Sequence, residues 1–282
     1  CLTNPFLGHE AEPIAKTENP KKVMVIGGGV AGLCAAFIAK EKGHEVTLYE
    51  AGDVLGGNMR LAAYPPGKGD ITNMIRNYIH RCQKDGVKIV MNCEVTPELI
   101  KEEKPDSVII ATGSKTLILP IEGIDNPAII HGSDLLDGKR AAGKKVLVVG
   151  GGMVGCETAA FLGEQEHDVT VIEFRDTVGA DVIHEHRVYL MKDFEDYGIK
   201  EITGAKVCKF YEDGVEYETA DGVRHETRGY DSVILSMGFR NYNPLEEKIK
   251  DLVPETHVIG DAIRARRALD ATKEAYEVAS RI

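Results

Sequence analysis

An α/β fold built twice is what this 282-residue sequence predicts, on three observations. Residues 23–26 form a short apolar strand that runs into the turn Gly27, Gly29, Gly32 (G-x-G-x-x-G) and then a helix. Residues 145–149, followed by Gly150, Gly152 and Gly155, restart that pattern 123 positions later. The interval is kept by two acids, Glu50 and Glu173, each closing a second apolar strand. A further strand, 108–113, has its counterpart at 233–238, with Gly113 and Gly238 spaced 125 apart. Chance supplies one spare glycine turn easily, but not this set of landmarks at nearly one offset.

Taken in order, residues 1–20 carry prolines and charges with no period and read as a lead-in. The helix after the first turn covers 33–42, and the second strand covers 45–50. Leu55, Gly56, Gly57, Asn58 and Met59 follow, a second glycine pair that reads either as a plain loop or as backbone lying against a bound molecule. Tyr64, Pro65, Pro66 and Gly67 break the chain. Ile71, Met74, Ile75, Tyr78 and Ile79 then recur with helical spacing over 70–85, and Gly86 closes that helix. Strands follow at 87–90 and 108–113. In the second unit a helix runs through Gly163, a strand covers 169–173, and a helix over 182–197 stops at Gly198. Turns at Asp213-Gly214 and Asp221-Gly222 punctuate short strands as in a β-meander. A last strand reaches Gly260, Asp261 and Ala262, and a final helix covers 269–281.

Net charge is −11, from 34 basic and 45 acidic side chains. That balance argues against non-specific binding to nucleic acid or to an anionic membrane. With 43% hydrophobic and 28% charged residues the composition is globular. No apolar run approaches the ~20 residues of a membrane span, and no signal-peptide pattern opens the chain. A cytoplasmic setting is expected. The sequence starts at Cys1, not Met, so a piece of a longer protein is also expected. Cys1, Cys34, Cys82, Cys93, Cys156 and Cys208 form no C-x-x-C, and their scatter gives no disulfide framework. Cys34 and Cys156 fall inside post-turn helices, where a small buried thiol is the simpler reading.

The glycine turns carry the chemistry. The first glycine permits the tight turn, and the second lets backbone approach a pyrophosphate. The third lets helix and strand pack closely, so that unpaired N–H groups at the helix start face the phosphates. Glu50 stands 18 residues after Gly32, near the ~20-residue spacing at which an acid meets a ribose hydroxyl. Two such folds in tandem point to hydride passing between nicotinamide and flavin, with the protein supplying position rather than an acid or base. Glu173 at the second ribose position would repel a 2′-phosphate and favours NADH. Arg175, two residues on, would accommodate that phosphate and keeps NADPH open. Glu157 has two readings: a group near the nicotinamide, or an acid complementing a helix dipole. His184 and His186 flank Glu185 near Asp181, superficially a metal cluster. Positions two apart on a helix do not face one another, so a solvated helix start is expected. Arg264, Arg266 and Arg267 read equally as a phosphate or partner contact and as surface pairing with acids.

The order G-G-G-V-A-G, Glu50, Ala111-Thr112-Gly113, G-G-G-M-V-G, Glu173 and Gly260-Asp261 resembles the two-dinucleotide-binding-domain flavoproteins over nearly the whole chain. Cys1 to Pro5, the Leu55 glycine pair with Asn58, Pro65-Pro66-Gly67-Lys68 and Gly260-Asp261-Ala262 with its basic run narrow that. They are similar to the C-terminal part of 2,4-dienoyl-CoA and 2-enoate reductases. The resemblance implies two Rossmann-like domains, the second inserted into the first. An FAD-binding domain covers 21–114 plus 241–282, and an NAD(P)H-binding domain covers 115–240. FAD would meet Gly27, Gly29, Val30, Ala31, Gly32, Glu50, Ala51, Gly57, Asn58, Ala111, Thr112, Gly113, Gly260, Asp261 and Ala271. NADH would meet Gly150, Gly152, Met153, Val154, Gly155, Glu157, Glu173 and Gly238. In that family an FMN barrel and a [4Fe–4S] cluster precede these domains. Cys1 would be an orphan ligand of the cluster, which needs four thiolates. The partners implied are a nicotinamide dinucleotide and the missing FMN barrel, with a homo-oligomer also open. Three alternatives stand beside this. A non-catalytic module holding ADP, as in the similar trimethylamine dehydrogenase group, is one. A free-standing NADH:acceptor reductase is another. A disulfide reductase is the third, against which stands the lack of a cysteine pair in 55–61.

Overall fold

The computed structural model describes residues 1–282, in two compact units. The first comprises Cys1–Ala63, Asp70–Lys115 and Arg240–Ile282, and the second comprises Tyr64–Gly69 and Thr116–Phe239.

The first unit is built on a five-stranded parallel sheet in the order Glu255–Val258, Ser107–Ile110, Lys22–Ile26, Glu45–Tyr49, Lys88–Val90. Both faces are covered, which is why its strands read as continuous apolar runs. Val23 and Val25 pack on one side with helices Val30–Glu41, Asp70–Lys84 and Ala268–Ala279. Met24 and Ile26 pack on the other with Ile100, Leu245 and Ile249. Helix Val30–Glu41 is buried from Val30 to Ala39, so it reads as an apolar run rather than a stripe. The opening residues are more than a lead-in: Leu2, Phe6 and Ile14 pack against this core. The Arg81 guanidinium lies over the Phe6 and Phe37 rings, 5.1 and 3.9 Å from their centroids.

The second unit repeats the plan. Its parallel sheet runs Ile130–His131, Ser232–Leu235, Lys145–Val149, Asp168–Ile172, Lys200–Ile202. Val146 and Val148 pack against helices Met153–Glu164 and His184–Asp196. Leu147 and Val149 face the antiparallel meander Lys206–Tyr211, Gly214–Glu218, Arg224–Thr227, whose Phe210 and Val215 close that side. The meander thus takes the place of a helical layer on one face. Element ends differ from the sequence expectation by up to three residues, as where the first post-turn helix begins at Val30 rather than 33. No helix is long and apolar enough to cross a membrane.

Candidate functional site

In the first unit two of the three motif glycines are demanded by the fold and one is not. Gly27 has φ +109°, and a Cβ there would lie 2.3 Å from the Ala111 carbonyl oxygen. A Cβ on Gly32 would lie 1.9 Å from the Gly27 carbonyl oxygen, so helix and turn touch. A Cβ on Gly29 would meet nothing nearer than the Gly57 Cα at 4.0 Å. The protein itself leaves that space open. Gly29 is also the N-cap of helix Val30–Glu41 and supplies no side chain to cap it, so the N–H groups at Val30 and Ala31 face outward along the dipole. Glu50 accepts from Gly28 N at 2.7 Å and from Gly52 N at 2.7 Å, one bond per oxygen. A carboxylate has about four acceptor positions, so two remain for hydroxyls. Ala51 is exposed beside it.

Three loops of this unit meet through hydrogen bonds. Asn58 Nδ2 donates to Ser114 Oγ at 3.2 Å, and Ser114 Oγ donates to Asp261 Oδ2 at 2.9 Å. Asp261 Oδ1 accepts from Arg266 N at 3.0 Å. Gly57 and Gly260 both have positive φ. A Cβ on Gly260 would be 3.0 Å from Ala31 Cβ and 3.4 Å from Ala271 Cβ, so this turn presses on the first helical turn and on the last helix. Thr112 Oγ1 donates to the Tyr242 carbonyl, and Tyr242 N donates to Gly113 O. Within the basic run, Arg266 donates to Glu274 Oε1 at 2.6 Å.

The second turn copies the first in detail. Gly150 has φ +107° and lies against the Ser236 carbonyl oxygen, and a Cβ on Gly155 would be 1.8 Å from the Gly150 oxygen. Glu173 accepts from Gly151 N at 2.6 Å and Arg175 N at 2.9 Å, where Glu50 accepts from Gly28 and Gly52. Gly179 N donates to Gly151 O at 2.7 Å, as Gly56 N does to Gly28 O at 2.8 Å. Ser236 Oγ is buried beside this turn with no partner. One feature has no twin: Asp181 Oδ1 accepts from Met153 N at 2.9 Å. Val154 O accepts from Thr158 Oγ1, and Gly238 has φ +95° with open space around it.

One turn into helix Met153–Glu164, Glu157 is only 6% exposed. Its Oε1 receives Lys68 Nζ and, at 3.2 Å, His186 Nε2. Burying a carboxylate is costly unless it is paired, and here two cations or donors pair it. Glu157 is therefore not a free dipole-complementing acid. His186, near the start of helix His184–Asp196, is partly exposed and turns its Nε2 to that carboxylate. Lys68, 89 positions from Glu157, carries no sequence signal for this pairing. Arg175 is exposed beside Phe174, itself 68% exposed. Cys1 is exposed, and its Sγ lies 3.4 Å from Thr3 Oγ1.

The profile of the pyridine nucleotide-disulphide oxidoreductase family matches residues 21–259. This chain belongs to that family. Cinnamate reductase of Clostridium sporogenes is 34% identical over 286 residues, covering 100% of this chain and 42% of that protein. NADH oxidase of Thermoanaerobacter brockii is 34% identical over 290 residues, covering 100% of this chain and 44% of that protein. A solved 2-naphthoyl-CoA reductase in complex with 2-naphthoyl-CoA superposes with TM-score 0.94 at 32% identity, over 100% of this chain and 43% of that one. The chain spans less than half the length of these relatives. Pyridine nucleotide-disulphide oxidoreductases bind FAD and NAD(P)H, and this chain is a flavin-dependent oxidoreductase of that family. It lacks the disulphide of the family name: all six cysteines are free, and none falls in residues 55–61.

Proposed function

We propose that the turn at Gly27–Gly29–Gly32 holds FAD, that the turn at Gly150–Gly152–Gly155 holds NADH, and that the chain is the reductase portion of a longer enoate-reductase-like enzyme. The observation that carries this is the pair Gly29 and Gly152. Each sits between glycines that backbone contacts require, yet neither is needed by protein backbone around it. Each also caps a helix without a side chain of its own. Such a cradle fits a pyrophosphate, which a Cβ would displace. When bound, FAD accepts a hydride from the reduced nicotinamide and passes electrons onward. Glu50 uses its remaining acceptor positions to hold the adenosine ribose, and Glu173 does the same for the second nucleotide. The Asn58–Ser114–Asp261 relay fixes the loops against which the flavin lies. The Lys68–Glu157–His186 group supplies a buried, positioned charge near the second turn. The onward acceptor is an iron–sulfur and FMN barrel outside this chain, with Cys1 belonging to its cluster.

Two variants test the assignment. Gly29→Leu is expected to fold, as judged by circular dichroism, and to purify without flavin. Gly152→Leu is expected to keep flavin and to lose reduction by NADH. A Gly152 variant that loses flavin while the Gly29 variant keeps it would reverse the two cradles. A wild-type chain that purifies colourless with ADP bound would replace the reductase reading with a structural nucleotide module.

A further inference from the structure

The two units also match at the sheet ends away from their glycine turns. After helix Val30–Glu41, Gly43 N donates to Lys40 O and His44 N to Ala39 O; in the second unit Glu166 N donates to Gly163 O and His167 N to Leu162 O. After helix Asp70–Lys84, Asp85 N donates to Arg81 O and Val87 N to Cys82 O; in the second unit Tyr197 N donates to Asp193 O and Ile199 N to Phe194 O. These bonds equate Lys40 with Gly163, Arg81 with Asp193, Lys84 with Asp196 and Asp85 with Tyr197. In the second unit a Cβ on Gly163 would stand 2.8 Å from Tyr197 Cβ, so Tyr197 packs into that corner. In the first unit the same corner is a cavity of about 560 Å³, lined by Lys16, Lys40, Arg81 and Lys84 together with Glu41 and Asp85.

Four cations face two acids there, a net charge of +2 in a chain whose total is −11. Arg81 is already engaged, donating through Nη2 to Glu41 Oε2 at 3.1 Å. The ammoniums of Lys16, Lys40 and Lys84 have no hydrogen-bond or ion-pair partner, and neither has the Asp85 carboxylate. Lys16 is brought in by the opening segment, where Thr17 N donates to Lys42 O at 2.8 Å. His44 also lines the cavity and is neutral, since its Nδ1 accepts from Lys21 N. A helix C-terminus favours nearby cations, but the equivalent helix end in the second unit carries Asp193 and Asp196, so the dipole does not demand them.

We propose that this cavity binds a small phosphate-bearing polyanion, at a site separate from both glycine turns. Helix Val30–Glu41 starts at the first turn and ends at the cavity, so its 12 residues hold the two about 18 Å apart. The volume falls within the ~300–1,000 Å³ of small-molecule sites. Apart from Gly43, every lining residue is charged or a histidine, so charge and not apolar contact selects the ligand. Three unpaired ammoniums repel one another around an empty space, and each offers point-charge donors to phosphate oxygens. An anion with two phosphate groups can meet more than one of them at once. The site does not depend on which nucleotide either turn holds.

The test is calorimetric titration of the full chain with inorganic pyrophosphate in dilute buffer. Wild type is expected to bind it, and the double variant Lys40→Gln, Lys84→Gln to bind about ten- to thirty-fold more weakly, the scale of two charges at short range in water. Asp85→Asn, which removes the opposing acid, is expected to bind about three- to ten-fold more tightly. A control, Lys250→Gln with Lys273→Gln, takes the same charge from exposed positions elsewhere in this unit and should bind as wild type does. Gly152→Leu, which fills the second turn, should leave this site intact. Four results would each overturn the inference. They are no binding by wild type, equal weakening in the two lysine double variants, an Asp85→Asn chain that binds no more tightly, and binding lost with Gly152→Leu but kept by the Lys40, Lys84 variant.

Discussion

Single residues divide into those the fold requires and those it leaves for a ligand. Gly27 belongs to the first kind: Gly27→Ala would hold a Cβ against the Ala111 carbonyl at φ +109°. It is expected to cost about 1–3 kcal/mol, measured as a fall in thermal or denaturant midpoint. Gly29→Ala, with open space, should cost far less stability and act on flavin retention. The cysteines give a second residue-scale test. Burial pushes the Cys82 and Cys156 thiols up to about 12 from 9.0, and pushes Cys34 up as well. These thiols stay protonated in the fold, so their contribution to stability is full below pH 9 and is lost as pH rises toward about 12. A thiol reagent at neutral pH is expected to modify exposed Cys1 quickly and these three only after unfolding. Fast labelling of Cys156 in the folded chain would contradict the packing. The glycine turns, the acids that follow them and the buried Cys34 and Cys156 were legible because each holds a set place in the strand–turn–helix pattern. Lys68 and His186 were not, because their partner Glu157 lies 89 and 29 positions away. The signal for Asp181 was present in the 123-residue register and needed only to be followed past Glu173.

At the scale of elements, the long strands and helices follow from apolar runs and period, while several short pieces were passed over. Helix Pro97–Glu103 is one, although Thr96 caps it by accepting from Leu99 N and Pro97 opens it, a local signal that reasoning from period alone skips. Ala268–Ala279 is held to the first unit by its end. His44 accepts from Lys21 N at 3.0 Å and meets Ile282 O at 3.1 Å, so its Nε2 carries the proton. Burial lowers the His44 pKa below 6.5, ahead of the opposing Ile282 bond. Its stabilising effect is therefore present above pH 6.5 and lost as pH falls through the lower folded value. His44→Ala is expected to cost about 1–3 kcal/mol by leaving two backbone groups unpaired, and to flatten the acid limb of the stability curve. An unchanged acid limb would show that another group governs it. Helix Met153–Glu164 offers a parallel case. Glu157→Ala leaves Lys68 and His186 partly buried without their acid and is expected to cost about 1–3 kcal/mol, less than a fully buried pair because both remain partly exposed. Glu157→Gln should recover part of that by keeping the acceptor.

Across the whole molecule, duplication is what makes function readable. One glycine turn would have described any dinucleotide binder; two in one register, each with an acid held by backbone N–H groups, describe a relay between dinucleotides. The second sheet differs from the first where the meander replaces a helical layer, a difference the Asp-Gly turns announced. The most direct measurement is an anaerobic titration of the purified, flavin-loaded chain with NADH and with NADPH, following the visible flavin absorbance. Stoichiometric bleaching by NADH, faster than by NADPH, is the predicted result. Flavin that stays oxidised with both nucleotides, in a folded chain that carries FAD, would contradict the relay.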